Sequence, residues 1–176
     1  MVINHVVISI SALLVYCANA WAVTPDQFIA DLKYKSPTHD GAPLRSFRVE
    51  DVNGDAQPEV LEAINSIEEE STGFLNVELY PAFEWINVYQ KKGDSFVLGT
   101  EEFPEFLRNR KAFYLSWLER FENLKTVDAD SQRLIQANSQ KFKKTLNDYV
   151  VRIDRSLKGA RPNNSLKPTN PAQGGR

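Results

Sequence analysis

Cysteine is almost absent: Cys17 is the one copy in 176 residues. The chain can close no internal disulfide and build no Cys-based zinc site. Histidine is nearly as scarce, at His5 and His39. A Ser-His-Asp arrangement would have to use one of them, and His39 lies in SPTHDGAP, a Pro- and Gly-bearing loop. No G-x-S-x-G, P-loop or H-E-x-x-H pattern occurs. Charged side chains are missing altogether from residues 1–22, where Val6 to Val15 form an apolar run. Small residues follow as Ala18-Asn19-Ala20 and Ala20-Trp21-Ala22. The expectation is a signal peptide over 1–22, cut after Ala22 or after Ala20. An uncleaved membrane anchor is the alternative, although the run is short for a full span. Leu14-Val15-Tyr16 precedes Cys17 without the small residue that a lipoprotein signal places there. Cleavage would remove Cys17 and His5 and leave no thiolate nucleophile.

What is there is enough to bury a core: 42% hydrophobic and 11% aromatic residues, at a length that suits one domain or a small pair. The net charge is only −2, but it is segregated. Glu50 to Glu105 holds 14 acidic and 2 basic residues, and Phe106 to Arg176 holds 6 acidic and 15 basic. Two surfaces of opposite sign are expected, either facing each other or with the basic one turned to an anionic surface.

The elements predict an α+β fold. A short antiparallel β-meander is expected to pack against a C-terminal antiparallel helical hairpin, behind a short N-terminal helix. The first helix opens with Thr24 as cap, Pro25 at the first helical position and Gln27 completing a capping box. It should stop near Lys35, because Ser36 precedes Pro37. Arg45 to Glu50 alternates as a strand. Glu59 to Ile67 fits both a strand and a helical stripe; strand is the expectation, ended by Glu68 to Gly73. Phe83 to Tyr89 alternates, Lys91 to Asp94 turns the chain and Ser95 to Leu98 returns it. From Phe106 to Leu124 apolar residues recur every three or four positions, a strongly amphipathic helix. Asp128 or Asp130 caps a second helix bearing Leu134, Ile135, Phe142, Leu146, Tyr149, Val150, Ile153 and Leu157. The short link predicts a helical hairpin. The boundaries are 23–100 for helix and meander, 101–158 for the hairpin and 159–176 for a Pro- and Gly-rich disordered tail.

One stretch carries chemistry. DVNGDAQPEVLE, Asp51 to Glu62, sets oxygen side chains at alternate positions Asp51, Asn53 and Asp55. Calcium takes six to eight oxygens from a flexible loop, and Gly54 permits a tight turn. The stretch resembles the D-x-N-G-D-G-x-x-D/E loop of FG-GAP and VCBS-type repeats, over about Ser46 to Leu98. That resemblance implies a calcium loop at a β-hairpin, with ligands Asp51, Asn53, Asp55, the Gln57 carbonyl and Glu59. Ala56 departs from it, standing where glycine is usual. One copy of the loop excludes a whole propeller. The rival is an EF-hand, in which Glu62 would be the twelfth-position ligand. Against it stand Ala56 at position six, Pro58 at position eight and a strand-like approach. A plain Asx-rich turn explains the same residues without an ion.

The expected function is a secreted or periplasmic protein without catalytic activity, calcium-braced, that binds a protein or envelope partner. No nucleic acid and no stable membrane insertion after signal cleavage are expected. An anionic envelope component could meet Lys141, Lys143, Lys144 and Arg152. The alternative is a carboxylate-dependent hydrolase of envelope glycan, drawing on Glu59, Glu62, Glu78 and Glu84. A ligand groove lined by Tyr114 and Trp117 is a further reading of the aromatic stripe.

Overall fold

The computed structural model describes residues 22–159. The signal-peptide and tail expectations fall outside the described residues, apart from Ala22 and Gly159.

Helix α1, Pro25–Lys35, begins with the expected capping box. Thr24 Oγ1 accepts from Gln27 N at 3.2 Å, and Thr24 N donates to Gln27 Oε1 at 3.0 Å. It ends where Ser36, extended at ψ 147°, leads into Pro37. Strands β1, Thr38–His39, and β2, Ala42–Pro43, then pair about Asp40-Gly41. Both turn residues have positive φ, the geometry that favours an Asp-Gly pair.

The main sheet has the order β3-β4-β5-β6, all antiparallel, from β3 (Ser46–Glu50), β4 (Glu59–Asn65), β5 (Glu84–Lys92) and β6 (Ser95–Leu98). The β5–β6 hairpin turns on Gly93-Asp94, with Lys91 and Lys92 still in the strand. Strand β4 is buried on both faces, which is why its sequence fits two periodicities. Leu61 and Ala63 pack with Ile86, Val88 and Phe103. The opposite face, bearing Val60 and Tyr89, is met by α1, whose Phe28 lies 5.2 Å from Tyr89 and 5.1 Å from Phe96 between ring centroids.

Strand β4 stops two residues before Ile67. Asn65, the last ladder position and opposite Glu84, also caps helix α2, Ser66–Glu70, its side chain accepting from Ile67 N and Glu68 N. The acidic run expected to terminate a strand is therefore a helical turn with acids at its favourable end. Beyond it, Leu75, Leu79, Ala82 and Phe83 carry the connection into the larger core.

Helices α3, Pro104–Glu122, and α4, Ala129–Gly159, form the helical hairpin. Asp128 caps α4, accepting from Asp130 N at 2.8 Å and Ser131 N at 2.9 Å. The shared core joins Leu107, Tyr114, Trp117 and Phe121 of α3 to Ile135, Phe142, Leu146 and Ile153 of α4. Phe142 is fully buried, 4.6 Å from Phe83; burial of such a side chain contributes about 1.5–3 kcal/mol. The hairpin is fastened where β5 begins: Tyr114 donates to Glu84 O at 2.6 Å and Tyr149 to Phe83 O at 3.0 Å. Asn138, at φ −124°, interrupts α4 with a kink the sequence pattern did not announce, its side chain donating to Leu134 O. Arg120 pairs with Glu78, and Lys141 with Glu70 at 2.8 Å, so the acidic and basic halves meet each other. No helix among the described residues is long and apolar enough to cross a membrane.

Candidate functional site

Residues 51–58 link β3 to β4. Gly54 (φ 78°) and Ala56 (φ 64°) are both left-handed. Gly54 adopts this freely, whereas the Cβ of Ala56 opposes it by about 1–2 kcal/mol. The loop tolerates Ala56 because Asp51 holds the turn from inside. Asp51 Oδ1 accepts from Gly54 N at 2.7 Å and Asp55 N at 3.2 Å, and Oδ2 from Ala56 N at 3.0 Å. Desolvation alone would raise the Asp51 carboxyl, but the amides of Ala56, Gly54, Asp55 and Asn53 together hold it below its ordinary value. Asn53 accepts from Asp55 N and donates to Asp55 Oδ2, both at 3.0 Å, and Asp55 Oδ1 accepts from Gln57 N at 2.8 Å.

Glu59 closes the base of this loop. It is 3% exposed, and its Oε2 accepts from Val52 N at 2.9 Å. No lysine or arginine among the described residues forms an ion pair with Glu59, Asp51 or Asp55. Burial pushes the Glu59 carboxyl up, the Val52 amide opposes this, and the charges of Asp55 and Asp51 push it up further. A buried carboxylate beside two others is relieved by a proton or a cation.

Asp51, Asn53, Asp55, Gln57 and Glu59 are thus gathered in one hairpin loop. Glu62 is not. It lies three residues along β4 from Glu59, on the other face of a period-two strand. Strands rather than helices flank the loop, so the EF-hand arrangement is not formed and its twelfth-position ligand is elsewhere. The remaining donors are all oxygen, the chemistry calcium selects. Asp51 uses three of about four lone-pair positions on loop amides, and Glu59 uses one. As they stand, the side chains serve these amides rather than one centre, and no three acidic, histidine or cysteine groups among the described residues are close enough to hold a metal ion. Calcium would have to re-aim Asp55 and Glu59 while the Asp51 turn persists.

Glu62 instead centres a buried polar network. Its Oε2 accepts from Tyr89 Oη at 2.7 Å and Asn87 Nδ2 at 2.9 Å, and its Oε1 from Arg45 Nη1 at 3.0 Å. Arg45 also reaches Glu69 at 2.6 Å, and Trp85 Nε1 donates to Asn87 Oδ1 at 3.0 Å. Sequence reasoning missed this cluster. The signal was present in Trp85, Asn87 and Tyr89 sharing one strand face, and in a glutamate interrupting the apolar run from Val60 to Ile64.

The remaining candidates are dispersed. Glu59, Glu62, Glu78 and Glu84 share no hydrogen-bond partner; Glu78 serves Arg120 and the cap of α4. His39 is exposed, 3.4 Å from Asp40. Tyr114 and Trp117 are 0% and 5% exposed and belong to the core. Lys141, Lys143 and Lys144 pair with Glu70, Glu122 and Asp148, and Arg152 lies 3.9 Å over the Trp85 ring. That face is electrically mixed. No family model matches the chain, and neither a curated protein nor a solved structure is similar to it.

Proposed function

We propose that the protein is a non-enzymatic, secreted or periplasmic binding protein whose Asp51–Glu59 loop takes one calcium ion as a brace. The observation that carries the ion is Glu59, a carboxylate 3% exposed, with two aspartates for neighbours and a single amide as partner. Calcium would replace a destabilising charge cluster with a cross-link between the start of the loop at Asp51 and its end at Glu59. An extracytoplasmic setting supplies calcium at millimolar level, and the uncharged leader-like residues 1–22 are what point to that setting. The brace would hold a rigid hairpin at one end of the sheet, the support that a recognition surface needs. The scatter of the glutamates over separate partners favours this reading over the hydrolase.

Thermal unfolding of the full chain in EDTA and in about 5 mM calcium tests the brace. A rise of several degrees that disappears in Asp51→Ala supports it. Equal midpoints in both buffers overturn it.

A further inference from the structure

Strand β3 is an edge of the four-stranded sheet, hydrogen-bonded to β4 on one side only. Its outward N–H and C=O groups have no strand partner among the described residues. All of Ser46–Glu50 except Phe47 is exposed, with Val49 at 42%. Arg48 and Glu50 share the face opposite Val49 and pair with each other at 2.8 Å. Glu50 also stands directly across from Glu59 of β4, an unfavourable like-charge juxtaposition. Arg48 and Glu50 are both half-exposed, so each can exchange this in-strand pair for an opposite charge beyond the edge.

We propose that β3 pairs antiparallel with β3 of a second copy of this chain, about a two-fold axis through Val49, joining two sheets of four strands into one of eight. The charge order selects this register. An axis normal to the sheet must pass through a residue, because opposed residues share a face. Centred on Arg48, it sets arginine against arginine; centred on Glu50, glutamate against glutamate; centred on Phe47, neither charge meets its opposite. Centred on Val49, Arg48 faces the partner's Glu50, Glu50 faces the partner's Arg48, and the two exposed valines meet at the axis. Glu50 then has Glu59 on one side and an arginine on the other.

Charged residues on an edge strand also serve to repel such pairing. Charges of one sign repel their own copies across such an edge. Opposite signs two residues apart are self-complementary under a two-fold axis. Two new backbone hydrogen bonds, exchanged between the two copies of Val49, and two half-exposed ion pairs make a small interface, below about 1,200 Å². The dimer is accordingly a weak, concentration-dependent one.

Sedimentation velocity on the full chain, from about 5 to 500 μM, is the test. The native sequence is expected to move from monomer to doubled mass across this range. Arg48→Glu and Glu50→Arg each place like charges at two sites of the dimer and should weaken it by about tenfold or more. The double swap Arg48→Glu/Glu50→Arg should restore it. Both positions are half-exposed, and circular dichroism verifies that each variant is folded. A monomer throughout, a dimer indifferent to either reversal, or a double swap no better than the single reversals would each overturn the proposal. Arg48→Glu leaves Glu50, the cross-strand neighbour of Glu59, unchanged, so this variant keeps the outcome separate from the calcium reading.

Discussion

The Tyr89 hydroxyl donates to the Glu62 carboxylate at 2.7 Å, on the face of the sheet opposite the Leu61–Ile86–Val88 cluster. With Asn87 and Arg45 it leaves Glu62 satisfied, though only 2% exposed. Truncating the acceptor strands three donors. Glu62→Ala should therefore lower unfolding free energy by about 3 kcal/mol, and Glu62→Gln by less, since an oxygen acceptor survives. Denaturant unfolding measures both. A loss under about 1 kcal/mol for the alanine variant would contradict the network's structural role.

The same contact governs behaviour in alkali. Burial, and then the hydrogen bond and charge of Glu62, push the Tyr89 hydroxyl up to about 12. Burial pushes Tyr114 up to about 12 as well, against the opposing influence of Arg110. Both folded values exceed the ordinary phenol value of about 10. The folded state thus holds these protons more tightly than the unfolded state. Its contribution is fully present below pH 10 and is lost as pH rises from there through about 12. Burial also raises Tyr80 and Tyr149, so ultraviolet titration should show Tyr89 and Tyr114 among a late-ionising group, with stability falling over the same interval.

Ala56 carries a φ of 64° with nothing but loop hydrogen bonds to hold it there. Ala56→Gly removes the Cβ conflict and should raise stability by about 1 kcal/mol, after allowing for the greater freedom of glycine in the unfolded chain. A destabilised glycine variant in chemical denaturation would show that the strain is not felt.

Glu59 gives a prediction that changes sign with the buffer. Its carboxyl is raised by burial first, against the Val52 amide, and then by Asp55 and Asp51. In EDTA its contribution to stability is greatest below the ordinary carboxylate value and is lost as pH rises through the raised one. Glu59→Gln should therefore be neutral or stabilising at pH 7 in EDTA. In calcium the same substitution should be destabilising, because it removes a ligand. A variant that behaves alike in both buffers would separate Glu59 from the ion.

Much of this architecture is legible in local chemistry. The Thr24–Gln27 box, the Pro37 stop and the β5–β6 hairpin follow from residues adjacent in sequence, and the stripe from Phe106 to Leu124 follows from helical spacing. What escapes depends on partners distant in sequence. Strand β4 is ambiguous because both of its faces are covered, and no periodicity distinguishes that from a buried helix. Helix α2 forms because Asn65 caps it and because Glu68 turns back to the amides of Gly73 and Leu75. The Asp40-Gly41 hairpin carries a turn dipeptide, but its strands of two residues each are too short to show alternation. At the site, the spacing of Asp51, Asn53 and Asp55 locates the turn, but counting alone also includes Glu62. Only the strand period shows that Glu62 faces Arg45, Asn87 and Tyr89 instead.

Isothermal calorimetry of calcium into the full chain at neutral pH, beside Asp51→Ala, is the most direct test of the loop as an ion site. One calcium per chain, with affinity reduced by tenfold or more in the variant, is the predicted result. No heat, or the same isotherm for both proteins, would contradict it and leave Asp51–Glu59 a self-capped turn.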